Sequence, residues 1–319
     1  MNRLARAALA VFLIVGLALL GFFVVQGNKP TIPAPGYVDA ERLVFFALGD
    51  QGSGRYRQHG VSWLMERECQ SDMTVNFTLL LGDNFYPQGV TAVDDPLWQK
   101  YFESAYDGPC LSGMPFFAML GNHDHMGNVD AQLAYAMQQR GSGRWQMPGK
   151  FYTQDFGRVG ERTLLRLFVI DTLLPLPAQL QMIRDGMARD EAIWTALATH
   201  HTARSYDEVY GDNPAWIDEV TPLGVDLYLS GHAHNLQLIA KADEPLYIVS
   251  GAGGKRPYGS TQADELLFGR ASLGFVKLTL DAESLAIDFS ALDLGDSGSF
   301  RVSRDCKEKN PIASCVESR

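Results

Sequence analysis

The segment Leu79–Tyr86 reads Leu-Leu-Leu-Gly-Asp-Asn-Phe-Tyr, an apolar run with an abrupt polar end. The mostly apolar stretch Val75–Leu81 predicts a buried strand. Because Gly82 allows a sharp turn, Asp83 then projects from the carboxyl end of the strand, where open α/β sheets place their ligands. Tyr86 follows three residues later and can reach the same point.

Five apolar runs of this chain end in the same way, with an Asp, Asn or His directly after the predicted strand. Of the seven histidines, only His59 lies away from these turns. Carboxyl ends of strands meet at one sheet edge, so we expect these side chains to converge. The converging residues are Asp50, Asp83, Tyr86, Asn122, His200, His232 and His234.

This set of oxygen and nitrogen donors indicates a metal site. It contains more donors than the four that a single zinc takes. The number fits two metal ions about 3.5–4 Å apart that share one carboxylate. The alternative is a structural metal without catalysis.

From Leu43 onward, strand-like and helix-like segments alternate, as is typical of layered α/β folds. Helical patterns are predicted at Tyr56–Cys69, Pro96–Tyr106 and Ala178–Asp190. Strands are predicted at Leu43–Leu48, Val75–Leu81, Pro115–Leu120, Phe151–Phe156, Thr163–Asp171, Ala192–Thr199, Val225–Ser230, Pro245–Ser250, Gly274–Leu280 and Leu285–Leu292.

The composition describes an ordinary globular chain of 319 residues, 46% hydrophobic and 20% charged. A net charge of −10 and a pI near 5.2 argue against nonspecific binding to nucleic acid.

The beginning of the chain carries a membrane signal. Arg3 and Arg6 precede Ala7–Val25, 19 residues that would span about 28 Å as a helix, close to a bilayer core. This run is longer than the apolar region of a cleaved signal peptide, and no clear cleavage site follows it, so an uncleaved anchor is favoured over a signal peptide. The positive end would stay in the cytoplasm and the remainder would cross the membrane.

Four cysteines fit an oxidising compartment, and none has metal-site spacing. Cys69 ends the first predicted helix and Cys110 precedes a strand, while Cys306 and Cys315 bracket a short loop near the end. We therefore favour the pairs Cys69–Cys110 and Cys306–Cys315 among the three connectivities. Four unpaired buried thiols are the alternative.

The order of the motifs is specific: Gly49-Asp50, Gly82-Asp83-Asn84, Gly121-Asn122-His123-Asp124, a lone His200, and Gly231-His232-Ala233-His234. It resembles that of the calcineurin-like metallophosphoesterases. Tyr86, the run Ser230–Gln237 and the run Val249–Gly253 look like the purple acid phosphatases, most of all the small tartrate-resistant type. The resemblance covers Leu43 to Ser290, and it implies a four-layer α/β/β/α sandwich of two mixed sheets with helices outside.

The resemblance also implies the metal ligands. Asp50, Tyr86 and His234 would hold a ferric ion. Asp83 would bridge it to a divalent iron, zinc or manganese. That second ion would be held by Asn122, His200 and His232. A phenolate is a hard anionic donor suited to a trivalent ion, whereas imidazole and amide suit a divalent one.

The resemblance implies hydrolysis of phosphate monoesters through attack by a metal-bound hydroxide. His123 would contact the phosphate or protonate the leaving oxygen. Asp124 would either orient His123 or stabilise its own turn. The family usually has a further His before Gly-Asp, and Tyr210 stands there in this chain, a weaker acid. His201 would be either a proton donor at the rim or a ring packed behind the ligands.

These observations predict an acid phosphatase outside the cytoplasm, acting on small phosphorylated molecules or phosphoproteins and held at the membrane by its N-terminal helix. A phosphodiesterase or nucleotidase on the same scaffold is the alternative. A metal-binding receptor without turnover is a third hypothesis. The expected division is a signal anchor or signal peptide at 1–28, a Pro-rich linker at 29–41, a catalytic domain at 42–300 and a disulfide-bearing tail at 301–319.

Overall fold

The computed structural model describes residues 37–293 and 297–319. Within these residues the strands are β1 (Leu43–Leu48), β2 (Phe77–Leu80), β3 (Phe116–Ala118), β4 (Trp145–Gln146), β5 (Tyr152–Val159), β6 (Arg162–Val169), β7 (Trp194–Thr199), β8 (Leu227–Ser230), β9 (Leu236–Ile239), β10 (Leu246–Ser250), β11 (Leu266–Arg270), β12 (Gly274–Leu280), β13 (Ser284–Ala291), β14 (Ser299–Ser303) and β15 (Val316–Ser318). The α-helices are α1 (Tyr56–Ser71), α2 (Val129–Met137), α3 (Leu176–Ala188), α4 (Pro214–Val220) and α5 (Arg304–Lys307). A π-helical turn spans Trp98–Glu103, and 3-10 turns span Leu111–Gly113, Asp124–Met126, Thr221–Leu223 and Ile312–Cys315.

The strands form two mixed sheets. The first has the order β15-β14-β13-β12-β1-β2-β3-β4, and the second the order β11-β9-β10-β8-β7-β6-β5. In the first sheet β1 to β4 are parallel and β12 to β15 are antiparallel to their neighbours. In the second sheet β6, β7, β8 and β10 are parallel, and antiparallel strands lie at both edges. The loops after the parallel strands therefore gather at one edge of each sheet.

Alternate residues of β1 show how the layers are built. Phe45 packs in a core between the sheets with residues such as Trp194 of β7, whereas Phe46 faces outward and packs with Val61 of α1. On the outer face of the second sheet, Phe168 packs with Ile183 of α3. Side chains alternate between the two faces of a strand, so a continuous apolar strand supplies both an inner and an outer core. The predicted α/β/β/α sandwich is confirmed.

The predicted strands around the site correspond to observed ones, and β1 and β12 have the predicted bounds. The sequence analysis missed β4, β9, β11, β14, β15, α2, α4 and α5. The boundary expected at residue 300 falls within β14, and the last residues add β14 and β15 to the edge of the first sheet. Both predicted disulfides, Cys69–Cys110 and Cys306–Cys315, are present.

The apolar segment at 1–28, predicted to be a membrane anchor, lies outside the described residues, as does most of the linker. Among the described residues, no helix has the length and apolar character needed to cross a bilayer.

Candidate metal centre

The seven predicted metal ligands come from the turns that follow five parallel strands. Asp50, Asp83 and Asn122 follow β1, β2 and β3 of the first sheet, and Tyr86 lies in the same turn as Asp83. His200 follows β7 of the second sheet, and His232 and His234 follow β8. The structure brings all seven together where the carboxyl edges of the two sheets meet.

Three of these residues form one group around the carboxylate of Asp50. The phenol oxygen of Tyr86 donates to Asp50 Oδ1 over 2.7 Å. Oδ1 of Asp50 also lies 3.4 Å from Nε2 of His234. This is the set that the resemblance assigns to the first metal.

A second group surrounds Nε2 of His200. This nitrogen lies 3.1 Å from Asn122 Oδ1, 3.3 Å from His232 Nδ1 and 3.4 Å from Asp83 Oδ1. The opposite nitrogen, Nδ1, lies 2.8 Å from the carbonyl of Leu81, which orients the ring so that Nε2 faces the other donors. This is the set assigned to the second metal. Asp50, Asp83 and His200 offer donor atoms within 4.8 Å of one another.

The backbone at the centre is strained in a way that aims these side chains. Asp50, Asp83 and His232 have φ values of 60°, 55° and 65°, in the left-handed region that residues with a Cβ rarely occupy. Glycine makes room beside them. A Cβ on Gly82 would lie 2.7 Å from Nδ1 of His200.

The centre contains two buried carboxylates, which a bound cation would stabilise. Asp50 and Asp83 are 0% and 1% exposed, and within the described chain their ion pairs are with histidines only. Burial opposes ionisation of Asp50, but hydrogen bonding to His234 and the nearby charge of His200 lower its pKa to about 2. Burial and the two carboxylates raise the pKa of Tyr86. Buried anionic oxygens are costly unless they are paired or bind a metal, so this donor set fits two metal ions.

Burial favours the neutral imidazole at two histidines of the second sheet, and the neutral imidazole is the form that binds a metal. Burial, followed by the charges of His200 and His201, lowers the pKa of His232 to about 3. Burial and His200 likewise lower the pKa of His201 to about 4. His200 behaves differently: burial lowers its pKa, but Asp83 and Asp50 more than offset this, and the net shift is upward.

His123 lies at the mouth of the centre, and its side chain is 29% exposed. Its Nδ1 is 2.6 Å from the carbonyl of Pro87, so Nδ1 carries the proton and donates it to that oxygen. Nε2 is then free on the side of Asp83, 4.0 Å from Oδ2. The ring also packs 4.3 Å from the ring of Tyr86.

The role of Asp124 as a carboxylate partner for His123 needs correction. Asp124 is fully buried, and its carboxylate accepts hydrogen bonds from the backbone of Gly121 and Asn84 and from the side chain of Gln132. The backbone carbonyl of Pro87 takes the place expected for it beside the imidazole. Asp124 thus stabilises the two ligand-bearing turns, which was the alternative interpretation. Burial, followed by repulsion from Asp83, raises its pKa to about 6.

The rings of His201 and Tyr210 pack against the ring of His232. The ring centroids of His201 and Tyr210 are 4.5 Å and 4.2 Å from that of His232. Nδ1 of His201 is 2.6 Å from the hydroxyl of Thr172. All four residues border a cavity of about 790 Å³ beside the metal ligands.

Some residues of this edge were missed by the sequence analysis. Asp171 and Thr172 follow β6 after one intervening residue, and Oδ2 of Asp171 lies 2.6 Å from Nε2 of His125. The signal that found the other ligands, a polar residue after an apolar strand, was present there as well. Lys255 also lies at this edge, and its ammonium group is 4.0 Å from the ring centroid of Tyr86.

Carboxylates and histidines gathered at the strand ends of a two-sheet sandwich define the class of metal-dependent phosphoesterases. The model of the calcineurin-like phosphoesterase family matches residues 45–236, and the chain belongs to this family. The predicted fold and the predicted class, a hydrolase of phosphate esters, are confirmed.

The chain is similar to acid phosphatases in sequence. Tartrate-resistant acid phosphatase type 5 of Rattus norvegicus is 31% identical over 242 residues, which cover 67% of this chain and 73% of the relative. Purple acid phosphatase 4 of Arabidopsis thaliana is 28% identical over 280 residues, 77% of this chain and 79% of the relative. Among solved structures, GAP50, described as the anchor in the inner membrane complex of Plasmodium, has a TM-score of 0.68 at 25% identity and covers 80% of this chain and 86% of its own.

Proposed function

We propose that this chain is a dinuclear-metal acid phosphatase that hydrolyses phosphate monoesters. The observation that carries the proposal is the convergence of two donor groups on Asp50 and on Nε2 of His200, with Asp83 beside the second group. The similarity to acid phosphatases supports the same reaction.

In this proposal Asp50, Tyr86 and His234 would hold a ferric ion, and Asn122, His200 and His232 would hold divalent iron, zinc or manganese. The carboxylate of Asp83 would serve both ions. When bound, such ions neutralise phosphoryl oxygens and lower the pKa of a coordinated water. The hard phenolate and carboxylate oxygens around Asp50 support the trivalent assignment, and the imidazoles around His200 support the divalent one.

His123 is the residue of this chain placed to act on the substrate itself. With Nδ1 donating to the carbonyl of Pro87, Nε2 faces the centre and can exchange a proton with the phosphoryl group or the leaving oxygen. Tyr210, beside His232, is a donor for the leaving oxygen, and His201 is held by Thr172 at the rim.

The test is to purify the full-length protein, determine its metal content by mass spectrometry, and measure turnover of a phosphate monoester and a phosphate diester. We expect two metal ions per chain and a preference for the monoester. His123→Ala should keep both metals and lose turnover, because the His123 side chain is not one of the proposed metal ligands. Metal loss in His123→Ala would contradict its assignment.

Two other functions are distinguished by the same measurements. Faster turnover of the diester would establish a phosphodiesterase on this scaffold. The similarity to GAP50, an anchor in its own membrane complex, favours a receptor or anchor role as a second candidate. Two bound metals without turnover of either ester would support that role.

We further propose that the enzyme acts outside the cytoplasm, held to the membrane by the segment at 1–28, on small phosphorylated molecules or phosphoproteins and not on nucleic acid. The two disulfides support an oxidising compartment. Fractionation of cells with alkaline carbonate would test the anchor, since an uncleaved helix keeps the activity in the membrane pellet.

A further inference from the structure

A cavity beside the metal centre offers space that the proposed chemistry does not use. Its volume is about 790 Å³, which is within the range of small-molecule sites. His232 and His201 form part of its wall, so the cavity opens directly onto the predicted second metal position. A group esterified to a phosphate at the centre would have this space beside it.

The rest of the cavity wall includes apolar side chains that are exposed. Leu173, Val209 and Tyr210 line the cavity, and they are 49%, 56% and 38% exposed, well outside the range of core residues. They come from two separate loops, one after β6 and one between β7 and α4. Leu176 and Trp216 continue the apolar wall. Several exposed apolar side chains that line one cavity indicate a binding site, whereas single exposed apolar residues scattered over a surface do not.

The loop that carries Val209 and Tyr210 is held by its own polar contacts. The carboxylate of Asp207 accepts from the backbone nitrogens of Val209 and Tyr210 over 2.7 Å and 2.6 Å. The guanidinium of Arg204 pairs with Asp212 and binds both carboxylate oxygens of Glu244. The apolar wall is therefore formed before any ligand binds.

The charge of the cavity excludes a second anion. Of the residues that line it, all within the described chain, none is Lys or Arg, and Glu219 is the single carboxylate. A leaving group with a further phosphate or carboxylate would meet Glu219 and no compensating cation. An uncharged apolar group would instead bury its surface against the walls.

We propose that this cavity binds the leaving group of the substrate and selects phosphate monoesters of uncharged aromatic or other apolar alcohols, with Leu173, Val209 and Tyr210 as the specificity-determining residues. The inference rests on the proposed phosphatase function. It disfavours nucleoside diphosphates and acidic phosphopeptides as substrates.

The experiment compares kcat/KM of the full-length enzyme for ethyl phosphate, 2-phenylethyl phosphate and the para-carboxylate of the latter. All three are esters of primary alcohols with similar leaving-group reactivity, so differences between them report binding of the leaving group. We expect kcat/KM for 2-phenylethyl phosphate to be at least about tenfold higher than for ethyl phosphate. For the para-carboxylate analogue, kcat/KM should fall most of the way back to the value for ethyl phosphate.

Leu173→Glu places a charge on the wall at a site that is already exposed, and it should lower the preference for the phenylethyl ester at least about tenfold. Leu267→Glu is the matched control, because Leu267 is 42% exposed on β11 and does not line the cavity. Glu219→Lys should restore turnover of the carboxylate analogue.

Equal kcat/KM for the ethyl and phenylethyl esters would overturn the leaving-group site and leave the phosphatase function intact. Loss of the preference in Leu267→Glu as well would overturn the assignment to this cavity. Absence of turnover of every monoester would refute the proposed function. Binding of 2-phenylethanol, followed by saturation-transfer NMR, then decides the site: binding lost only in Leu173→Glu supports the site, and no binding to the wild type overturns it.

Discussion

The two sheets present different chemistry at the edge where they meet. The first supplies oxygen donors, namely Asp50, Asp83, Tyr86 and Asn122, and the second supplies the nitrogen donors His200, His232 and His234. Each proposed metal takes ligands from both edges. Neither sheet can therefore build a complete metal position by itself, and the centre depends on how the sheets pack.

The two edges are in direct contact. The backbone nitrogen of Gly49, after β1, donates to the carbonyl of Ser250 at the end of β10 over 2.7 Å. Nδ1 of His200, after β7, lies 2.8 Å from the carbonyl of Leu81, after β2. A substitution at one edge should therefore displace ligands at the other, and the following predictions test this dependence.

The largest effect is expected for Asp83→Ala, which removes the carboxylate proposed to bind both metals. Both ions should be lost, and turnover should fall at least about a thousandfold. Metal content by mass spectrometry and kcat measure the effect. The exposed Asp218 on α4 provides the control, since Asp218→Ala should retain both ions. Retention of one full equivalent of metal in Asp83→Ala would show that the two positions are independent.

A smaller effect is expected at the contact between the edges. In Gly82→Ala the new Cβ would meet His200 at 2.7 Å, and the backbone φ of +87° would be strained. This change in the first sheet should displace a ligand of the second, and affinity for the second metal should fall about 10- to 100-fold. Gly113→Ala is the control, because its Cβ would have no neighbour within 4 Å. Unchanged metal affinity in Gly82→Ala would mean that His200 adjusts without cost.

Tyr86→Phe removes one oxygen donor of the first sheet and leaves the second sheet unchanged. A ferric ion bound by the phenolate should colour the oxidised protein purple, and the variant should lose this absorption band while the buried ring keeps its packing. We expect turnover to fall about tenfold, because the first metal loses one donor. Tyr56→Phe is the control at a 73% exposed phenol. A colourless, iron-free and fully active wild type would instead place this chain with zinc or manganese enzymes.

The smallest effect on activity is expected for the disulfides, both of which lie in or around the first sheet and away from the ligands. The chain-entropy model gives about 4 kcal/mol for Cys69–Cys110 and about 2.5 kcal/mol for Cys306–Cys315, because the pairs are 41 and 9 residues apart. Replacing either pair with Ala should lower Tm, more so for Cys69–Cys110, and leave kcat of the folded enzyme unchanged. Calorimetry checks the order, and a larger loss for Cys306–Cys315 would contradict it.

Much of the fold was predictable because its signals are local. An apolar run that stops at Gly-Asp or Gly-His marks a buried strand and the donor after it, and these signals located the strands that carry the seven ligands. The strands β9 and β15, with 4 and 3 residues, were missed because neither belongs to a longer apolar segment. The equally short β2 and β3 were found because they lie within the segments Val75–Leu81 and Pro115–Leu120. Asp124 was assigned a role by its position beside His123, whereas its hydrogen bonds run to Gly121, Asn84 and Gln132.

The sequence by itself determined which residue types follow which strands, and hence the donors available for a metal, because side-chain chemistry and hydrophobic periodicity are properties of neighbouring residues. Only the tertiary structure decided which donors meet. Asp50 and His234 are 184 positions apart and yet lie 3.4 Å from each other, because the two sheets pack with their carboxyl edges together. The cavity likewise depends on the tertiary structure. Leu173 and Val209 line it from separate loops, and no local sequence pattern indicates that they lie in one cavity.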